Sequence, residues 1–188
     1  ERERSVGLGV MGFHSFLQKK RIPLESVMAK SWNKKIFKNI HEKVNQASKD
    51  LAEERGACPD AAEYGFKERF SNKTAIAPTA SISIICGGAS PGVEPIAANS
   101  YTHKTLSGSF NVRNRYLEEI LESHSKNDDE TWSTITTNQG SVSHLDFLTD
   151  LEKDVFKTAF ELNQKWIIEL SGDRTPFISQ AQSVNLFL

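Results

Sequence analysis

The chain has 188 residues, 38% of them hydrophobic and 25% charged, a composition suited to a soluble globular fold rather than to a disordered chain. Its 23 Lys and Arg stand against 24 Asp and Glu, a net charge of −1, which removes the electrostatic case for a nucleic-acid polymer as partner. The longest uncharged run, Thr74 to Val93, is interrupted by Gly, Pro, Ser and Thr and cannot serve as a membrane span. Two cysteines, Cys58 and Cys86, are too few for a disulfide scaffold and lack C-x-x-C spacing, so a reducing, cytoplasmic setting is expected. The charged start Glu1-Arg2-Glu3-Arg4 and the still-apolar end Leu186-Phe187-Leu188 read as the edges of a section of something longer.

In chain order, Val6, Val10, Phe13 and Leu17 recur at helical intervals and predict a helix over 5–20, which Pro23 follows. From Leu24 to Leu51 the positions Leu24, Val27, Met28, Trp32, Ile36, Ile40, Val44, Ala47 and Leu51 predict one long amphipathic helix, closed by Arg55-Gly56. Residues 57–73 lose periodicity and predict a loop with a short helical turn. Thr74-Ala75-Ile76-Ala77 predicts a buried strand running into Pro78. A strand or irregular hairpin is expected from Tyr101 to Val112, with turn formers at Ser107-Gly108-Ser109, and a short helix over 115–123. The acidic run 126–130 predicts a solvated loop rather than a metal site. Thr149 or Asp150 is placed to cap a second strong helix reaching Leu170 and ended by Gly172 and Pro176. Ser183 to Leu188 predicts a final strand.

Two patterns invite chemistry. Gly7-Leu8-Gly9-Val10-Met11-Gly12 fits G-x-G-x-x-G, yet no apolar strand precedes it as a dinucleotide fold requires, so glycines flattening a packed helix face are the expectation. The second pattern is Pro78-Thr79-Ala80-Ser81-Ile82-Ser83. A strand ending at Pro78 and a helix starting beyond it would aim free backbone N–H groups and several hydroxyls at one point, which is the geometry of an anion site. No Lys or Arg lies inside it, so such a site would rely on neutral donors. The five histidines are dispersed without ligand spacing, and no metal site is expected.

The run from Thr74 to Ser83, then Gly92-Val93-Glu94-Pro95, then Tyr101-Thr102-His103-Lys104-Thr105-Leu106-Ser107-Gly108, closely resembles the large (alpha) subunit of class I ribonucleotide reductases. Arg4 to Phe13, Arg55 to Pro59, Ser141 to Leu145 and Gln182 to Phe187 continue the resemblance in one register. It implies an α/β fold: residues 1–188 as a helix-rich section, with short strands, of that family's ten-stranded barrel, in the C-terminal half and continuing beyond both ends. It also implies that Pro78, Thr79, Ala80, Ser81 and Ile82 bind the diphosphate of a ribonucleoside diphosphate, a role we extend to Ser83.

The family replaces the ribose 2′-hydroxyl with hydrogen, using a thiyl radical on the cysteine of an N-x-C-x-E motif. This chain has no such motif, so no catalytic residue is expected within it. Cys58 and Cys86 match none of the family's catalytic cysteines and are expected to be structural, with Glu94 holding its loop by hydrogen bonds. The relay tyrosine pair also has no counterpart in Tyr64, Tyr101 or Tyr116. The chain is therefore expected to be inactive alone and to bind no cofactor itself. The resemblance implies, for an intact enzyme, a radical from a metal-containing small subunit, a thioredoxin- or glutaredoxin-type reductant, nucleotide effectors and a large-subunit homodimer. Two alternatives stay open: an adenosylcobalamin-dependent class II relative, and a non-catalytic phosphate- or nucleotide-binding module of a split protein. The Tyr101-to-Gly108 block favours class I.

Overall fold

Three short extended segments, far apart in sequence, run parallel and carry the helices between them. Leu8 pairs with Thr74, and Ile76 with Gln182. The Leu8 N–H donates to Lys73 O at 2.9 Å and Ala75 N–H to Leu8 O at 3.1 Å, while Ile76 N–H reaches Ala181 O at 3.0 Å. Thr74–Ala77 is thus the middle strand of an α/β arrangement, because parallel neighbours require long crossovers and these are helical. The computed structural model describes residues 1–105 and 108–188; Leu106 and Ser107 of the expected turn lie outside them.

The predicted helix over 5–20 begins only at Phe13: α1 spans Phe13–Lys19. Its expected first half is the extended segment paired with Thr74, so Gly7 and Gly9 flatten a strand contact rather than a helix face. A Cβ on Gly9 would lie 2.6 Å from the backbone oxygen of Ala75. Gly9→Ala is therefore expected to destabilise the fold by about 2 kcal/mol, measured as a lowered denaturation midpoint; an unshifted midpoint would mean that the two strands can separate without cost.

The long helix α2 spans Val27–Arg55, with Ser26 accepting the Ala29 N–H as its N-cap and Gly56 at its end in a positive-φ conformation. The helix and its exit agree with the sequence, but the buried stripe is offset from the predicted one. Val27, Met28 and Ala47 are exposed, whereas Ala29, Asn33, Phe37, Ser48 and Ala52 are buried. Two polar residues sit on that stripe because the packing gives each a backbone partner: Asn33 Nδ2 donates to Leu170 O at 2.8 Å, and Ser48 Oγ accepts the Arg69 N–H at 3.1 Å. A short helix, α3 (Pro59–Glu63), supplies the expected turn in 57–73.

Beyond α4 (Ala80–Ile85), β1 (Ser100–Thr105) and β2 (Gly108–Arg113) form an antiparallel pair with Tyr101 opposite Val112. Helix α5 spans Arg115–Ser123, capped by Asn114. The acidic run expected to be a loop is one over 126–128, but its last two residues start a helix, α6 (Asp129–Thr137), whose N-cap Asp128 accepts the Thr131 N–H; acids favour a helix N-terminus as readily as they favour a loop. That bond holds the Asp128 carboxyl below the usual carboxylate range.

The single helix predicted over 149–170 is two. Thr149 caps α7 (Asp150–Val155) through a reciprocal bond with Glu152, and Asn163 caps α8 (Gln164–Arg174). Apolar spacing alone cannot reveal the break, since Phe156, Ala159 and Leu162 remain buried. Tertiary bonds divert the backbone: Ala159 N–H donates to Ile96 O at 2.8 Å, and Phe156 O accepts Asn99 Nδ2 at 2.7 Å. Helix α8 also runs through Gly172 and gives way at Thr175–Phe177 to one 3₁₀ turn. The strand expected over 183–188 does not form: the pairing is a single bridge of Gln182 to Ile76, and the chain beyond Ser183 is held by side chains instead, Asn185 on Glu94 and the Phe187 N–H on Gln164 Oε1 at 2.9 Å.

Two apolar clusters result. Phe13, Leu17, Leu24, Phe37, Ile76 and Leu170 join α1, α2, α8 and the middle strand. Leu117, Leu121, Trp132, Ile135, Leu145 and Phe156 join α5, α6 and α7. Among the described residues no helix is long and apolar enough to cross a membrane.

Candidate functional site

The middle strand delivers the chain to Pro78, and the next residue turns it into α4. Thr79 occupies the left-handed region, φ 53° and ψ 30°, a conformation that costs a β-branched residue on the order of 1–2 kcal/mol and must be held by its surroundings. What holds it is Gly92, whose N–H donates to Thr79 Oγ1 at 2.7 Å. Gly92 is itself required: its φ is +47°, and a Cβ there would meet Ala77 O at 2.9 Å. The Gly92-Val93-Glu94-Pro95 run, all buried, is the back wall of the loop.

Because the Thr79 side chain is turned toward Gly92, it does not cap α4. The first helical bond is from the Ser83 N–H to Thr79 O, 2.9 Å, and no acceptor among the described residues meets the N–H groups of Ala80, Ser81 or Ile82. All three residues are exposed. Ser81 adds a hydroxyl, Ala80 keeps the approach open, and the Thr79 hydroxyl still has its own proton to donate. At the other end of α4, Arg115 Nη2 donates to Gly87 O at 2.7 Å, a cation placed where carbonyls point outward.

Of the six residues singled out from the sequence, Thr79, Ala80, Ser81 and Ile82 come together at this open end. Pro78 has no N–H and serves to end the strand. Ser83 faces elsewhere: it is buried, and its hydroxyl donates to Ala80 O at 2.9 Å, because two residues on from the exposed Ser81 the helix has turned through about 200°, to the opposite, inner side. The lock from Gly92 was not legible as a contact; the joint presence of Thr79 and a Gly-Val-Glu-Pro run was its only sequence trace.

Glu94 is buried and tied to the terminal segment, its carboxylate accepting Asn185 N–H at 3.1 Å and Asn185 Nδ2 at 2.9 Å. Cys58 is buried, with Sγ 3.4 Å from Ser71 Oγ, and Cys86 is exposed at the end of α4. No group of three or more His, Cys, Asp or Glu residues gathers as a metal site among the described residues. The 90–96 segment behind the loop is fastened to α1 by a reciprocal pair, Ser15 N–H to Ser90 Oγ at 3.1 Å and Ser90 N–H to Ser15 Oγ at 2.8 Å. The fully buried His14 accepts the Ile96 N–H through Nδ1 at 3.1 Å. Burial lowers the His14 pKa to about 4, so the ring is neutral near pH 7.

Comparison with known proteins gives this geometry a context. The family model described as "Ribonucleotide reductase, barrel domain" matches residues 1–68 and 60–188. The chain is 49% identical over 192 residues to the ribonucleoside-diphosphate reductase large subunit of Invertebrate iridescent virus 6, covering 100% of this chain and 20% of that protein. It is 45% identical to the large subunit of Invertebrate iridescent virus 3, covering 98% of this chain and 30% of the relative. Among solved structures, the Actinobacillus ureae class Id ribonucleotide reductase alpha subunit superimposes with a TM-score of 0.91 at 40% identity, over 100% of this chain and 34% of that one. The chain therefore spans between a fifth and about a third of the length of these proteins.

Proposed function

Since this chain belongs to the ribonucleotide reductase barrel-domain family, which its sequence matches from end to end, we propose that it supplies the substrate-diphosphate loop of a ribonucleoside-diphosphate reductase large subunit. The binding segment is Pro78–Ser83. The N–H groups of Ala80, Ser81 and Ile82, with the hydroxyls of Thr79 and Ser81, donate to phosphate oxygens, while Pro78 and Ser83 shape the turn around them. The observation that carries this reading is the set of three N–H groups, on exposed residues, that meet no acceptor among the described residues, next to a Thr79 held in a costly conformation. Oriented backbone donors at a helix start favour an anion without any basic side chain.

In the intact enzyme the deoxygenation of ribonucleotides needs groups from outside this section: a thiyl cysteine in an N-x-C-x-E motif, a radical from a metal-containing small subunit, a thioredoxin- or glutaredoxin-type reductant and nucleotide effectors. The large subunit is proposed to work as a homodimer in the cytoplasm. The similarity to a class Id alpha subunit supports a class I enzyme over the adenosylcobalamin-dependent alternative, and the resemblance to whole large subunits supports a section of such an enzyme over a separate phosphate module.

The test is Thr79→Ala combined with Ser81→Ala in the full-length protein. We expect KM for the ribonucleoside diphosphate to rise about tenfold or more while kcat changes less, since the lost donors bind a group remote from the reacting carbon. Ser81→Ala alone, which leaves the Gly92 lock intact, is expected to give part of that rise with an unchanged melting temperature. If substrate affinity survives the double substitution, the phosphate assignment is wrong.

A further inference from the structure

Behind α4 lies a cavity of about 300 Å³, lined by Ser15 and Gln18 of α1, Ser83 and Ile84 of α4, and Asn99, Tyr101 and Asn114, among others. It shares only Ala80 and Ser83 with the phosphate segment. A chain of amides ends in it, and the direction of that chain is fixed by backbone groups that cannot be reversed. Asn99 Nδ2 donates to Gly140 O at 3.0 Å and Phe156 O at 2.7 Å, which turns Asn99 Oδ1 toward Asn114. Asn114 Oδ1 accepts the Tyr116 N–H, so Asn114 Nδ2 donates both to Asn99 Oδ1 at 2.8 Å and to Gln18 Oε1 at 3.1 Å. Gln18 must then present its NH₂ group at the far end. That Nε2 is buried and meets no acceptor among the described residues, in a side chain only 1% exposed. Exchanging Gln18 O and N would set donor against donor, so the unpaired group is not an assignment that a flip could repair.

A buried amide donor without a partner is costly, and native structures carry few of them without a reason. We propose that this cavity is a second binding site, for a small, flat, largely apolar molecule that presents a carbonyl oxygen or ring nitrogen to Gln18 Nε2. The size suits one or two fused rings. Solvent reaches the pocket along exposed Ile84 and Tyr101. The occupant touches Ser83, on the helix that displays the phosphate donors, but the site stands on its own residues and does not depend on the diphosphate assignment.

Acetophenone and ethylbenzene, alike in shape but with and without a carbonyl, are the probes, titrated into the full-length protein by saturation-transfer NMR. The expected result is about tenfold tighter binding of acetophenone, a preference erased by Gln18→Leu or Gln18→Glu. Ile84→Trp, which fills the cavity from an exposed position and leaves the amide chain alone, is expected to abolish binding of both; should the Gln18 variants fail to fold, this variant decides. Equal affinities in the wild type, a preference that persists without Gln18, binding that survives Ile84→Trp, or a crystal structure at saturating acetophenone with only a water on Gln18 Nε2 would each overturn the site.

Discussion

Gly140→Ala is expected to lower stability by about 2–4 kcal/mol. Gly140 follows α6 with a φ of +80°, and a Cβ there would lie 2.4 Å from Ala98 Cβ, 2.7 Å from Ala98 Cα and 2.9 Å from Asn99 N. The left-handed backbone costs an alanine about 1 kcal/mol or more. The collision adds about 1–3 kcal/mol, because the atoms in the way are main chain and a Cβ, not the far end of a pliable side chain. Asn99 cannot simply withdraw: its N–H and its Nδ2 both donate to Gly140 O, at 3.1 and 3.0 Å. The measurement is the denaturation midpoint beside that of Gly172→Ala. Gly172 sits in α8, and no atom of the described residues comes within 4 Å of its would-be Cβ, so there the same change is expected to stabilise by up to about 1 kcal/mol. Similar shifts for both variants would show that the Ala98–Asn99 segment yields freely.

The second large effect is on pH. His14 titrates at about 4 in the folded protein instead of the ordinary 6.5, because burial disfavours its charged form. The unfolded chain therefore binds the proton more readily. Stability is fully present above about pH 6.5, declines as pH falls through the interval, and levels off below about pH 4 with a loss of about 3 kcal/mol. Protonation also destroys the acceptor that holds the Ile96 N–H. Glu152 and Glu169, whose pKa values are lowered from an ordinary 4.5, lose their contributions only under more acid conditions than those in which the His14 contribution begins to fall, and the His14→Gln variant separates the His14 share between pH 6.5 and 4.5. For Glu152 the bonds from Thr149 and His124 outweigh a larger burial effect of opposite sign; for Glu169 the bond from Lys30 dominates. Unfolding free energies measured across that range should slope downward toward acid in the wild type and run flat in His14→Gln. A wild-type profile as flat as the variant's would mean that His14 is hydrated.

The same residue shows where sequence and structure part. Periodicity placed His14 on a helix, and nothing in the sequence distinguishes it from His41 on α2, for which spacing is equally helical. Only the return of the 90–96 segment against α1 removes water from one ring and supplies it with a backbone donor. The G-x-G pattern failed in the same way: glycine spacing records that something passes close by, but the neighbour, Ala75, lies some distance along the chain and could be named only from the pairing of two strands.

By itself the sequence determined the local states whose causes are local. Gly56 closes the long helix, which starts at Val27 rather than at the expected Leu24, Thr149 caps α7, and Pro78 ends the strand, because caps and φ restrictions act within a few residues. The turn from Pro78 into α4 follows from local causes too: the N–H groups proposed as phosphate donors are consecutive and belong to one turn. Tertiary structure decided which face of α2 is buried, where the helix predicted over 149–170 breaks, that Ser83 turns inward, and that Gln18 Nε2 meets no acceptor among the described residues. Each depends on which distant backbone group arrives to take a hydrogen bond, and apolar spacing carries no record of partners dozens of residues away.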